Sequence, residues 1–187
     1  VARNGGQSPQ EPSPGAEEEA AVEFEVMIEI PQGSRNKYVM DFSAGRIRLD
    51  RTLFTATAYP ADYGYVVGTL GGDGEPLDAL VLGGEPAVPG CVRTCRAVGV
   101  WVMRDERGPD HKVLCVPARD PRYRDLRDVG DLREFDLLEI THFFQVYKDL
   151  ERGKSVEGSH WADRDAAYAE IAASRARAVG TRFADPA

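Results

Sequence analysis

Asp73, Glu75 and Asp78 put three carboxylates within six residues, in the run Gly71-Gly72-Asp73-Gly74-Glu75-Pro76-Leu77-Asp78 that leads straight into the apolar segment Ala79-Leu80-Val81-Leu82. Gly74 and Pro76 restrict the backbone between the acids. Oxygen-only ligands packed this closely suit a hard cation such as Mg²⁺. Taken alone, the stretch reads equally as an acidic surface turn before a buried strand, because short motifs often misfire. A second acidic turn, Asp105-Glu106-Arg107-Gly108-Pro109-Asp110, reads as a hairpin loop between a long strand expected at 91–103 and a returning segment at 111–116. If that hairpin lies beside the first turn, Asp105 and Asp110 reach the same cation as Asp73 and Asp78.

The elements that must position these groups are mostly strands. Val22, Phe24, Val26, Ile28 and Ile30 alternate with Glu23, Glu25, Met27 and Glu29, the period of a strand with one buried face, so Glu29 points away from the core. Pro31-Gln32-Gly33-Ser34 turns the chain into a second strand at 36–41, where Lys37 and Val39 share a face. A third alternating segment covers 46–51 and is followed by an aromatic-rich loop at 59–65. Only the last third reads as helix. One helix is expected over 132–150, with Phe135, Leu138, His142, Phe143, Val146, Tyr147 and Leu150 as a core-facing stripe and Tyr147 and Lys148 in its last turn. There the helix dipole favours a cation, which gives Lys148 a purely structural role as an alternative. A second helix opens on Asp163 as its cap, is rich in alanine through Ala178 and ends near Gly180.

Composition narrows the function further. A chain of 187 residues, 42% hydrophobic and 29% charged, can bury one core of ordinary size. The first 21 residues are rich in Pro, Gly, Ser, Gln and Glu without apolar periodicity and are expected to be a disordered tail; a single domain follows over 22–180, with a short tail at 181–187. No apolar run approaches the roughly 20 residues of a membrane span, and no basic-then-apolar leader opens the sequence, so the cytoplasm is the expected compartment. Cys91, Cys95 and Cys115 match no zinc or redox spacing and read as reduced structural residues. The formal charge of −8 argues against nucleic acid or an anionic membrane as the main partner. An anionic substrate would need bound cations.

The polar positions, taken together, resemble family I soluble inorganic pyrophosphatases of the bacterial type. The resemblance is carried by Ile28-Glu29-Ile30-Pro31, Asn36-Lys37-Tyr38, Leu49-Asp50-Arg51, Tyr59-Pro60-Ala61-Asp62-Tyr63-Gly64, both acidic turns, Lys112, and His142-Phe143-Phe144 with Tyr147-Lys148-Asp149-Leu150-Glu151. It spans nearly everything from Val22 to about Ala178. It implies an α+β, β-rich fold: a small closed β-barrel, OB-like, with two C-terminal helices packed outside, assembled as a homohexamer partly through the helix that carries His142. It also implies that a metal-activated water attacks pyrophosphate to release two phosphates. By the same resemblance, Asp73, Asp78, Asp105 and Asp110 hold Mg²⁺, or Mn²⁺, which accepts the same ligands, with Glu29 supporting an outer metal. Lys37, Arg51, Tyr59, Lys112, Tyr147 and Lys148 bind the substrate. Glu75 and Tyr63 are the catalytic pair.

Two positions depart from the family pattern. The signature Asp-x-Asp-Pro-x-Asp is here Asp73-Gly74-Glu75-Pro76-Leu77-Asp78, so the acid that takes the proton from water is a glutamate. Its extra methylene displaces the carboxylate by about 1 Å, a shift that can cost roughly 10²-fold in rate. Val39 stands where the family has a glutamate that organises metal and substrate. Besides slowed pyrophosphate hydrolysis, these departures admit an enzyme acting on an organic diphosphate, with Val39 as an apolar wall, and a non-catalytic paralogue that binds phosphate or metal.

Overall fold

The computed structural model describes residues 22–153 and 156–184, so the expectation for the first 21 residues lies outside the described part. Nine strands and two α-helices are described: β1 (Phe24–Ile30), β2 (Asn36–Asp41), β3 (Arg46–Thr52), β4 (Asp62–Val66), β5 (Asp78–Val81), β6 (Val92–Asp105), β7 (Gly108–Pro109), β8 (Lys112–Pro117), α1 (Glu134–Val146), β9 (Val156–Ala162) and α2 (Arg164–Ala178). Hydrogen bonding runs β1-β4-β5-β8-β6, and β6 pairs back onto β1, which closes the ring expected of a small barrel. All pairings are antiparallel except β5 with β8, where Asp78 lies opposite Lys112. The β2–β3 hairpin stands apart as a two-stranded sheet.

Closing so few strands requires bends, and these occur where the pairing register slips, between Ile28 and Ile30 in β1 and between Ala97 and Gly99 in β6. Gly64 serves the same close approach: a Cβ there would lie 1.8 Å from the Met27 carbonyl oxygen of the neighbouring strand. Alternation along the strands divides the interior into two clusters. Leu80, Leu114 and Val116 pack with Ile140, Phe143 and Phe144 of α1. Ala79, Val81, Val113 and Cys115 pack in the cluster that includes Ala167 and Ile171 of α2.

Five features differ from the sequence expectation. The segment read as an aromatic loop contains β4, whose five residues are all buried; a strand covered on both faces loses the period of two that would reveal it. Strand β9, in which Gly158 interrupts a run of mixed polarity, pairs with β6 where no strand was expected. Helix α1 ends at Val146, so Tyr147 caps it and Lys148 lies beyond its last turn. Its apolar residues also fail to form one stripe: Ile140, Phe143 and Phe144 are buried, whereas Phe135 is 75%, Leu138 53% and the following Leu150 70% exposed. Glu29 does point away from Ile28 and Ile30, yet it is buried, because β2 covers that face and the Met40 amide donates to Glu29 Oε1 at 2.6 Å.

Candidate active site

The acidic turn is fixed locally. The Asp73 carboxylate accepts from the Glu75 amide at 3.1 Å, Gly71 N–H donates to the Glu75 carbonyl at 2.6 Å, and Gly74 adopts φ +88°, a conformation open to glycine at little cost. The turn delivers Asp78 to the first position of β5, beside Lys112 at the start of β8. The β6–β7 hairpin supplies Asp105, and Asp110 follows it. The β2–β3 hairpin closes the opposite side with Lys37 and Arg51 paired across its two strands.

These elements surround one cavity of ≈ 370 Å³. Glu29, Lys37, Arg51, Tyr63, Asp73, Glu75, Asp78, Asp105, Asp110, Lys112, Tyr147 and Lys148 all line it. Tyr59 does not: it is buried beneath the wall, its ring packed against Tyr63 and Phe143 at 5.2 and 4.8 Å between centroids. Val39 lines the cavity together with Tyr38 and Met40.

Lys112 is the electrostatic centre. Its Nζ lies 2.7 Å from both Asp78 Oδ2 and Asp110 Oδ1, with 1% of the side chain exposed. Burial alone would lower its pKa, but Asp110 and Asp78 outweigh it and hold the ammonium well above the ordinary lysine value. Burial raises the Asp78 carboxyl, and Asp110 adds to this against the pull of Lys112. Asp110 is also desolvated, but Lys112, with Lys148 and Lys37, holds it below the usual range. Tyr63 donates its hydroxyl to Asp78. Lys148 Nζ donates to Asp105 Oδ2 at 2.9 Å, and burial lowers the Lys37 ammonium.

Sequence reasoning missed two contacts at this site. Arg107 lines the cavity and its guanidinium lies 3.3 Å from Glu75 Oε1. Glu151 grips the Arg51 guanidinium at 2.6 and 2.7 Å. Glu151 stood in the motif run, but nothing in a linear sequence signals a partner a hundred positions away.

Lys112 and Lys148 already engage three of the carboxylates. Among the described residues no group of three or more His, Cys, Asp or Glu side chains encloses a metal-sized space as it stands. The donor set nevertheless fits a hard cation: it is entirely oxygen, and burial with like charge raises Asp78, Asp73 and Glu29 together. Glu29 is pushed up to about 7 from 4.5, chiefly by burial. A carboxyl that holds its proton more tightly when folded stabilises the fold fully below its unfolded pKa and loses that contribution as pH rises through the folded value. In chelator, wild type should therefore weaken relative to Glu29→Gln between about pH 4.5 and 7, by on the order of 3 kcal/mol. Urea unfolding at both ends of that window checks this; a pH-independent gap would show that Glu29 does not titrate there.

Comparison with known proteins gives one answer. Residues 26–179 match the family model described as inorganic pyrophosphatase. The chain is 62% identical over 156 residues to the inorganic pyrophosphatase of Streptomyces coelicolor, covering 83% of this chain and 96% of that one. Among solved structures, it is similar to the inorganic pyrophosphatase of Thermus thermophilus at 46% identity and TM-score 0.81, over 89% of this chain and 95% of that one. It is also similar to the inorganic pyrophosphatase of Helicobacter pylori at 39% identity and TM-score 0.82, over 84% and 94% of the two chains.

Proposed function

The chain belongs to the inorganic pyrophosphatase family, and on that premise we propose that it hydrolyses inorganic pyrophosphate to two phosphates in the cavity between the two acidic turns and the β2–β3 hairpin. One observation carries this reading beyond family membership: acids and bases that are scattered from Glu29 to Lys148 in the chain converge on a single cavity.

Asp73, Asp78, Asp105 and Asp110 would hold Mg²⁺, with Glu29 supporting an outer ion; Mn²⁺ suits the same oxygens. When bound, such ions neutralise phosphate charge and acidify water. The protein groups do the rest. Glu75 accepts the proton of the attacking water from its place on the acidic turn. Lys37, Arg51, Lys112, Tyr147 and Lys148 hold the phosphate oxygens and offset the charge that develops on the leaving phosphate. The grip of Glu151 on Arg51 orients that guanidinium before substrate arrives. Tyr63 acts through Asp78, whose carboxylate it orients. Tyr59 supports the aromatic floor under Tyr63 and is better described as a positioning residue than as a substrate ligand.

The assembly we infer is a homohexamer. The exposed Phe135 and Leu138 in the first turns of α1, and the exposed Leu150 beyond its other end, support it, since large apolar side chains left in solvent favour a partner surface. No helix among the described residues is long and apolar enough to cross a membrane. Cytoplasmic residence is proposed on the same footing.

Phosphate release from pyrophosphate in Mg²⁺ should be robust and should stop when the metal is chelated. No release above a heat-denatured control would overturn the reading. One observation favours a second reading: Tyr38, Val39 and Met40 offer an apolar wall to an organic diphosphate. In the same assay, faster release from an organic diphosphate than from pyrophosphate would reverse the order of the two.

A further inference from the structure

Behind the carboxylates lies a second cavity of ≈ 180 Å³, walled on one side by Asp73, Asp78 and Asp110 and on the other by His111, Glu170 and Arg177. We propose that Glu170, on α2, is a positioning residue that fastens the two carboxylate-bearing segments to each other and thereby sets their affinity for divalent metal. The proposal rests on the metal-dependent reading of the site given above.

The geometry is a short chain of bonds with Glu170 at its centre. One carboxylate oxygen, Oε1, accepts from Arg177 Nη2 at 2.5 Å and from Ser174 Oγ at 3.1 Å. The other, Oε2, lies 3.3 Å from His111 Nδ1. Arg177 Nε donates in turn to the Leu70 carbonyl at 2.9 Å, and Leu70 N–H donates to the Ser174 carbonyl at 3.0 Å. Both polar groups of the Leu70 backbone are thus held by α2, immediately before the turn that carries Asp73. His111 sits between Asp110 and Lys112 in the other segment.

The β5–β8 ladder aligns Asp78 with Lys112, but it starts only at Asp78, so it does not fix where the preceding turn hangs. Helix α2 supplies that second anchor. The His111 contact first, then Arg177 and Ser174, holds the Glu170 carboxyl at about 2, so the fastener stays charged at neutral pH. Its side chain is 19% exposed, which shields the pairs from solvent competition. Groups that orient metal ligands directly change affinity by roughly 10-fold or more. Glu170 acts one bond further out, and about 5-fold is expected.

The test is direct Mn²⁺ binding to the full-length metal-free protein, followed by electron paramagnetic resonance with no substrate present. Glu170→Gln keeps the shape and can still accept from Ser174, but loses the ion pair with Arg177 and the carboxylate oxygen that faces His111. It should bind Mn²⁺ about 5-fold more weakly and need correspondingly more Mg²⁺ for half-maximal activity, while kcat at saturating Mg²⁺ stays within about 3-fold. A role confined to holding α2 on the barrel would instead lower Tm and leave Mn²⁺ affinity alone, and that result overturns the proposal. Should Glu170→Gln not fold, Arg177→Met decides: it has no donor for either the Leu70 carbonyl or Glu170, and unchanged Mn²⁺ binding in it overturns the proposal equally. Wild-type protein that binds no Mn²⁺ would overturn the metal-dependent reading and this inference with it. Wild-type binding matched by Glu170→Gln would overturn this inference alone.

Discussion

Glu75→Gln is expected to slow pyrophosphate turnover by about 10²- to 10⁴-fold, the usual contribution of a positioned proton acceptor, while Mg²⁺-dependent binding of the diphosphate survives within a few-fold. The amide is isosteric with the carboxylate, so the acidic turn, fixed by backbone bonds from Gly71 and to Asp73, should be undisturbed. Only the capacity to take a proton is removed. The glutamate side chain is half exposed, and it pairs with Arg107 at 3.3 Å, a contact that in this setting contributes about 1 kcal/mol or less. The carboxylate is therefore free to swing into the cavity when substrate and metal arrive. Single-turnover phosphate release beside equilibrium binding separates the two effects. Turnover equal to wild type would mean that another group takes the proton.

Lys112→Met should destabilise the metal-free protein by about 3–5 kcal/mol, because it leaves the buried Asp110 and the partly buried Asp78 facing each other without the cation that both now share at 2.7 Å. Methionine fills most of the volume, and the Lys112 Nζ itself lies 5.7 and 5.5 Å from the ring centroids of Tyr63 and Phe144, so what the substitution removes is chiefly a charge. The charge argument makes a second claim that packing does not. Mg²⁺ should restore more stability to the variant than it adds to wild type, since a divalent cation can neutralise the orphaned pair. Denaturant unfolding with and without Mg²⁺ measures both. A loss under about 1 kcal/mol, or equal Mg²⁺ effects in the two proteins, would contradict the assignment of Lys112 as the charge between the acids.

What could be read from the sequence was whatever depends on near neighbours. The acidic turn was legible because Gly74 and Pro76 fix its backbone and its acids are adjacent, and the Asp163 cap of α2 was legible for the same reason: its carboxylate accepts from the Ala166 amide three residues on. The place of strand β2 followed from its residue pattern, but its six residues are all half-buried and Lys37 through Met40 all line the cavity, so no alternation of faces shows in it. Burial on both sides hid β4, since its pattern Asp-Tyr-Gly-Tyr-Val carries no alternation to detect. The apolar residues of α1 were misassigned because periodicity detects a face but cannot say whether protein or solvent covers it; Phe135 and Phe143 look alike until the barrel is in place. Partners such as Glu151 for Arg51 and Arg107 for Glu75 depend on which loops meet, and no local rule encodes that. The meeting of the two acidic turns could be posed as a hairpin laid beside the first turn, but only the family resemblance brought Glu29, Lys37, Arg51 and Lys148 to the same site.

The single parallel pairing in the barrel, which sets Asp78 against Lys112, has a consequence for how the enzyme comes into being. Their bond spans 34 residues, and parallel strands meet only after a long crossover has been closed against chain entropy. The acidic turn can form early by itself, but its carboxylates acquire their shared lysine only when β8 docks. Catalytic competence and barrel closure are on this account one kinetic event, so a partly folded chain carries no half-working pocket that could bind metal out of turn.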